Sequence, residues 1–163
     1  MGVSGSGKTT LGQLLSQKLA WQFEDADSYH SESNKLKMGS GVPLSDEDRS
    51  LWLENLRALV RKTVDRNENL ILACSALKSA YRKLLKDSSE DVRFTYLKCS
   101  KESLATRLAE RKGHFMPAIL LDSQLAALEE PHKDEALEVS VEDLPEVNVT
   151  KIIRHYCPVP PKV

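Results

Sequence analysis

Cysteine is scarce in this chain and badly spaced for bridging. Cys74, Cys99 and Cys157 are odd in number and form no CxxC pair, which argues against a disulfide framework and for a reducing, cytoplasmic location. Cys74 and Cys99 end apolar runs and read as small buried hydrophobes. No apolar run approaches the ~18 residues of a membrane span. Gly-rich sequence follows Met1 directly, where a signal peptide would carry its apolar core. Asn148-Val149-Thr150 matches a glycosylation sequon, but without secretion it is a coincidence. Charge of one sign is lacking too: 23 Lys and Arg face 24 Asp and Glu, a net charge of −1. No global field draws the chain to nucleic acid or an anionic membrane, so any anion site must be built locally. Repeats, low-complexity tracts and long linkers are absent. What is left has the hydrophobic content, 40% of 163 residues, of one globular domain with its own core.

Short apolar runs alternate with helical patterns, which predicts an α/β fold with a parallel sheet. A helix is expected from Lys8 to about Ala20, with Leu11, Leu14, Leu15 and Leu19 on one face. A short strand at Trp21–Phe23 follows. Ser45 and Asp48 form a capping box that opens a long helix carrying Leu53, Leu56, Val60 and Val64. Strands are expected at Leu70–Cys74, Arg93–Lys98 and Leu137–Val141. Helices are expected at Lys78–Leu85, after Ser100, at Ala118–Leu128 behind Pro117, and at Val147–Tyr156. The Pro-rich tail from Pro158 is expected to fray.

Gly2-Val3-Ser4-Gly5-Ser6-Gly7-Lys8-Thr9 fits GxxxxGK[ST], a phosphate-binding loop. Glycines let the backbone curl so that successive N–H groups point inward at phosphate oxygens. The helix that begins at Lys8 aims its positive dipole end at the same oxygens. Lys8 supplies a mobile charge for the β- and γ-phosphates of ATP, and the Thr9 hydroxyl can ligate Mg²⁺. Thr10 completes the nucleotide-binding segment. Such a loop normally follows a strand in the middle of the sheet, yet only Met1 precedes Gly2. The first central strand is therefore expected to be missing from this chain. Its neighbours lose a ladder partner, and stability and activity are expected to suffer.

Asp25 and Asp27 follow the second strand position and are two apart, so in extended backbone they share a side. Phosphoryl transfer needs a group that orients the attacking hydroxyl; Asp27 is the candidate, with Asp25 toward the metal. A solvated acidic turn is the plainer alternative. His30, Lys35 and Lys37 come next, and cations beside an acidic pair point to an anionic substrate; for His30 a hydrogen bond at the start of the next helix fits equally. Asp46 and Asp48 favour a helix N-terminus, while Arg49 can hold a carboxylate bidentately. Arg107 and Arg111 are four apart near Gly113, where a lid over residues 107–125 could close on ATP and exclude water. The spacing alone also fits a solvated basic helix face.

Together the segments MGVSGSGKTT, DADSYH, NKLKMGSGVPLSDEDR, LACSALKSAYR and ERKGHFMPAILLDSQLAALE resemble the small gluconokinases of the P-loop kinase superfamily, relatives of shikimate and nucleoside monophosphate kinases. They cover residues 1 to about 130 in order. The phosphate loop alone implies only nucleotide binding; CSALK, GHFMP and PLxDxDR are the specific parts. The resemblance implies a three-layer α/β P-loop fold, Mg-ATP as donor, D-gluconate as acceptor, 6-phosphogluconate as product and a cytoplasmic homodimer. It implies ATP and Mg²⁺ at Gly5, Gly7, Lys8 and Thr9, a catalytic Asp27, and substrate contacts from His30, Lys35, Arg49, Ser75, Ala76, Lys78 and His114. It places Arg107, Arg111 and His114 on the lid. Thr9 replaces a more usual serine, and Asp122 and Leu125 replace a less acidic and an aromatic residue. A shikimate or nucleotide kinase is the rival enzyme reading; a catalytically weak nucleotide-binding form is the rival of another class.

Overall fold

A computed structural model describes residues 1–87, 89–110 and 120–157. Helix α1 (Lys8–Leu19) leads to strand β1 (Gln22–Asp25), a 3-10 turn (Ala26–Tyr29) and helix α2 (Glu32–Gly39). Helix α3 (Asp46–Asp65), strand β2 (Leu70–Ala73), helix α4 (Ser79–Lys86) and strand β3 (Phe94–Lys98) follow. Helices α5 (Lys101–Glu110) and α6 (Leu120–Ala127), strand β4 (Ala136–Ser140) and helix α7 (Pro145–Tyr156) complete the order. The expected Ser45–Asp48 capping box is present at α3, and the Ser100 hydroxyl accepts from the Ser103 N–H at the start of α5. Helix α2 begins just after His30, where the sequence suggested a helix start without bounds. Its stretch ESNKLKMG has no apolar stripe and buries only Asn34 and Met38.

The architecture is three-layered, as the resemblance implied. On one side of the strands Leu11 and Leu15 of α1 pack with Val149 and Ile152 of α7. On the other, Trp52, Leu53 and Leu56 of α3 pack with Tyr81 and Leu85 of α4. Neighbouring residues of β2 divide between them, Ile71 to the first cluster and Leu72 to the second, as a strand covered on both faces requires. A Cβ on Gly12 would meet the Phe23 ring at 2.6 Å. Only glycine lets α1 lie that close to β1, and this contact sets the phosphate loop against the strand that carries Asp25.

The strands form two separate parallel pairs. β1 lies beside β2 with Asp25 opposite Ala73, and β3 lies beside β4 with Tyr96 opposite Glu138. Met1 and Gly2 bridge the pairs. The Met1 amine donates to Thr95 O at 2.5 Å and Met1 O accepts from Leu97 N at 2.9 Å, while Gly2 N donates to Ser75 O at 3.1 Å. This is the hydrogen-bonding pattern of a parallel strand opposite Tyr96, with successive residues serving alternate neighbours. Behind Met1, β2 and β3 border a slot of ≈500 Å³ lined mainly by apolar side chains, among them Leu70, Leu72, Phe94, Leu11, Leu15 and Ile152. The expected loss of a ladder partner therefore takes the form of a strand-wide cavity with one rung in place. Burial also pushes the Met1 ammonium down to about 5, because the charge has lost water.

Joining five apolar residues to Met1 would turn that ammonium into an amide and continue both ladders. We expect the melting temperature to rise by at least about 5 °C, given about 2–4 °C per kcal/mol at this chain length. A Gly-Ser extension of equal length separates loss of the buried terminal amine from strand filling. An equal rise with both extensions, or none with the apolar one, would rule out the slot as the weak point.

Candidate active site

The phosphate loop has the backbone its glycines were expected to allow. Gly5 and Gly7 sit at φ 81° and 87°, left-handed values that suit glycine. Gly7 caps α1 without a side-chain acceptor, so the first turn of α1 is left to an anion rather than closed by a neighbouring hydroxyl. Lys8 Nζ donates to Val3 O at 3.0 Å, curled back over its own loop. Val3, Ser4 and Ser6 are buried, whereas Thr10 is exposed.

Asp25 closes β1 directly beside the loop. Its Oδ2 accepts from Thr9 Oγ1 at 2.8 Å and its Oδ1 from Asp27 N at 3.1 Å. The two aspartates do not share one extended face as the spacing suggested. Asp25 accepts from Asp27 N as the cap of the 3-10 turn, and the chain folds at that point. Asp25 thereby faces Thr9, while Asp27 faces a cavity. Thr9 and Asp25 suit Mg²⁺: a hydroxyl and a carboxylate already in contact, to be completed by phosphate oxygens and water. Among the described residues no cluster of three His, Cys, Asp or Glu forms an all-protein metal site.

The cavity beyond Asp27 is small, ≈40 Å³, and draws on five separate segments: Lys8, Asp27 with His30, Arg49, Ser75 and Gln124 all line it. His30 is buried and stacks on Trp52, with ring centroids 4.5 Å apart and planes 9° apart. Trp52 is held by its Nε1–H bond to Ala26 O at 2.8 Å. His30 Nδ1 has no partner. Burial, with Arg49 and Lys35 nearby, pushes this imidazole down to about 4, so it is neutral at physiological pH. A neutral ring nitrogen in such a cavity is suited to a hydroxyl of a bound molecule.

The cations separate into two groups. Arg49 lines the cavity, with Asp46 3.8 Å from its guanidinium. Lys35 instead pairs with Glu32 at 2.8 Å on α2. Lys78 reaches both Asp46 oxygens, at 2.8 and 2.7 Å, and lies 5.7 Å above the Tyr81 ring. Neither lysine is among the cavity-lining residues. Asp46 also accepts from the Tyr81 hydroxyl, and these bonds hold its carboxyl below the usual range. Lys37 pairs with Asp48 at 2.5 Å; that bond and the Ser45 N–H hold Asp48 at about 2. Ala76 is buried with φ 43° and turns its carbonyl to Arg82 at 3.2 Å. It shapes the turn beside the cavity without lining it. Arg107 donates to Val141 O at 2.7 Å, and its Nη1 lies 3.9 Å from where a Cβ on Gly7 would stand. Arg111 and His114 lie outside the described residues.

Sequence reasoning passed over Gln124, Trp52 and Tyr81. Gln124 Oε1 accepts from Ser4 N at 2.6 Å, so α6 closes the cavity over the phosphate loop. Trp52 shares a helical face with Leu56, four residues on, and that spacing was the available signal. All three cysteines are free; Cys74 is buried as expected, and burial pushes its thiol up to about 11, whereas Cys99 is only half-buried.

A glycine-curled loop at a helix start, with a lysine inside it and a cavity holding Asp27, His30 and Arg49 alongside, defines a P-loop kinase of the small-molecule type. The shikimate kinase family pattern matches residues 4–146. A gluconokinase from Gluconobacter oxydans is 44% identical over 157 residues, covering 96% of this chain and 88% of that protein. The thermosensitive gluconokinase of Escherichia coli is 45% identical over 135 residues, covering 83% and 72%. A gluconokinase structure from Sinorhizobium meliloti superposes with a TM-score of 0.84 at 35% identity, covering 98% of this chain and 90% of that one. The chain belongs to the shikimate kinase family and, within it, to the gluconokinases.

Proposed function

We propose that this protein transfers the γ-phosphoryl group of ATP to a hydroxyl of D-gluconate, yielding 6-phospho-D-gluconate and ADP. The observation that carries the reading is the shared cavity in which Lys8 of the phosphate loop meets Asp27, His30 and Arg49. Asp27 takes the proton of the acceptor hydroxyl as its oxygen bonds to phosphorus and the bond to ADP breaks. Arg49 offers a bidentate fork to the acceptor carboxylate, and neutral His30 takes a sugar hydroxyl. Thr9 and Asp25 would hold Mg²⁺, which would supply positive charge for the phosphate oxygens. Arg107, next to Gly7, adds positive charge on the nucleotide side, with Arg111 and His114 assigned to the lid. In this reading the whole chain is one domain, a cytoplasmic homodimer acting on a small acid, without nucleic acid or membrane as partner. Its net charge of −1 is consistent with a site whose positive field is local. No helix among the described residues is long and apolar enough to cross a membrane.

The test is ADP release with Mg-ATP and a panel of gluconate, shikimate and nucleoside monophosphates. Turnover on gluconate is expected to exceed the others by about 10⁴-fold in kcat/KM, the scale on which unpaired polar groups in a site reject a wrong substrate. Equal or faster turnover on shikimate or a nucleotide would overturn the assignment.

A further inference from the structure

Arg82 of α4 is 2% exposed, an unusual place for a guanidinium. Its Nε and Nη2 meet the two Glu135 oxygens at 2.6 and 3.1 Å, a bidentate pair. Its Nη1 is turned toward three backbone carbonyls: Ala76 at 3.2 Å, Leu77 at 3.1 Å and Glu129 at 2.9 Å. Two of these belong to the turn between β2 and α4, where Ala76 holds a left-handed φ of 43°. A non-glycine residue keeps such a backbone only when its surroundings impose it. On one side of Ala76, Ser75 O receives the Gly2 N–H at 3.1 Å, so the turn touches the phosphate loop. Ser75 and Leu77 flank Ala76 and both line the cavity with Asp27. The third carbonyl lies just beyond α6. There Glu129 N donates to Leu77 O at 2.9 Å and Glu129 Oε2 accepts from Ser79 N at 2.7 Å. One buried fork thus joins the strained turn to the end of the helix whose Gln124 bonds to Ser4.

We propose that Arg82, fixed by Glu135, is a positioning residue for the acceptor: it holds the carbonyls of Ala76 and Leu77 so that Ser75 and Leu77 face the acceptor cavity, and it ties α6 to the same turn. Arg82 touches neither substrate nor nucleotide. It acts through the shape of the cavity wall, which is on the acceptor side in the function proposed above and rests on that reading. A lysine keeps the charge but cannot satisfy the carboxylate and three carbonyls together.

The experiment compares unaltered protein with Arg82→Lys and with Arg82→Met/Glu135→Leu, which removes the pair as a unit and leaves no buried carboxylate behind. Melting temperature, KM for ATP and KM for gluconate are measured on each. In the folded variants the KM for gluconate is expected to rise about tenfold while that for ATP stays within about twofold; tenfold corresponds to about 1.4 kcal/mol. A role confined to stability would lower the melting temperature and leave the gluconate KM unchanged, and that result overturns the proposal. Should Arg82→Lys not fold, the double variant decides it by the same split. If unaltered protein prefers another acceptor, the functional reading fails separately. The split is then read with the preferred acceptor: a selective rise in its KM upholds the positioning role, and its absence overturns it.

Discussion

Lys8→Met is expected to lower kcat on the order of 10³-fold, the scale of removing one preorganised charge from a transition state, with a stability close to that of the unaltered protein. The separation follows from where Lys8 sits. It is half-buried and donates to Val3 O at 3.0 Å, a bond within its own loop that contributes about 1.5 kcal/mol to the fold, the low end for a charged donor. The loop backbone is set by other contacts: the left-handed glycines, the Gly2 and Met1 bonds to the strands, and the close packing of Gly12 on Phe23. Methionine keeps most of the aliphatic length of the side chain and removes the charge together with the Nζ donor to Val3 O. Lys8→Arg is expected to rescue little, because a planar fork does not replace a compact ammonium inside a closely curled loop. Single-turnover rates with Mg-ATP and gluconate, beside thermal unfolding, provide the check. A kcat within about threefold of the unaltered value in a folded Lys8→Met protein would remove Lys8 from the chemistry.

How much of this was readable beforehand depended on whether the chemistry is local in sequence. The phosphate loop is contiguous, and its function lies in backbone geometry that glycine positions dictate. Gly5, Gly7, Lys8 and Thr9 were therefore legible as a unit. The Ser45 capping box and the strands at 70–73 and 94–98 were legible for the same reason. The acceptor cavity is different. Residue 4, the local pair 27 and 30, and residues 49, 75 and 124 come together only through the tertiary fold, and no periodicity links them. Charge proximity in sequence was also a poor guide to direction. Lys35 follows an acidic segment as Arg49 follows Asp46 and Asp48, but it pairs with Glu32 on its own helix and does not line the cavity. Arg82 was invisible in its role because arginine is almost never fully buried unless paired. Its partner Glu135 is 53 residues away.

Asp27→Asn is expected to lower kcat by about 10²–10⁴-fold, the usual contribution of a positioned general base, while ATP affinity stays within about threefold. The structure separates the two aspartates clearly enough to predict opposite phenotypes. Asp25 accepts from Thr9, the hydroxyl placed to meet the metal, and also from the Asp27 N–H. Asn at position 27 retains that N–H, so the 3-10 turn keeps its cap and the metal side keeps both groups. The change is confined to the cavity side, where Asp27 shares walls with His30 and Arg49. An amide still accepts a hydrogen bond from the acceptor hydroxyl, so KM for gluconate is expected to move only a few-fold. It cannot take the proton, so the loss appears in kcat. Asp25→Asn should show the reverse weighting, with weaker Mg-ATP binding and a cap that accepts less strongly from Asp27 N. Titrating Mg-ATP against both variants by calorimetry, with kcat measured in parallel, discriminates between them. A collapse of ATP affinity in Asp27→Asn would place that residue on the metal side, and the acceptor would then lack a strong base among the described residues of the cavity, since His30 is pushed down to about 4.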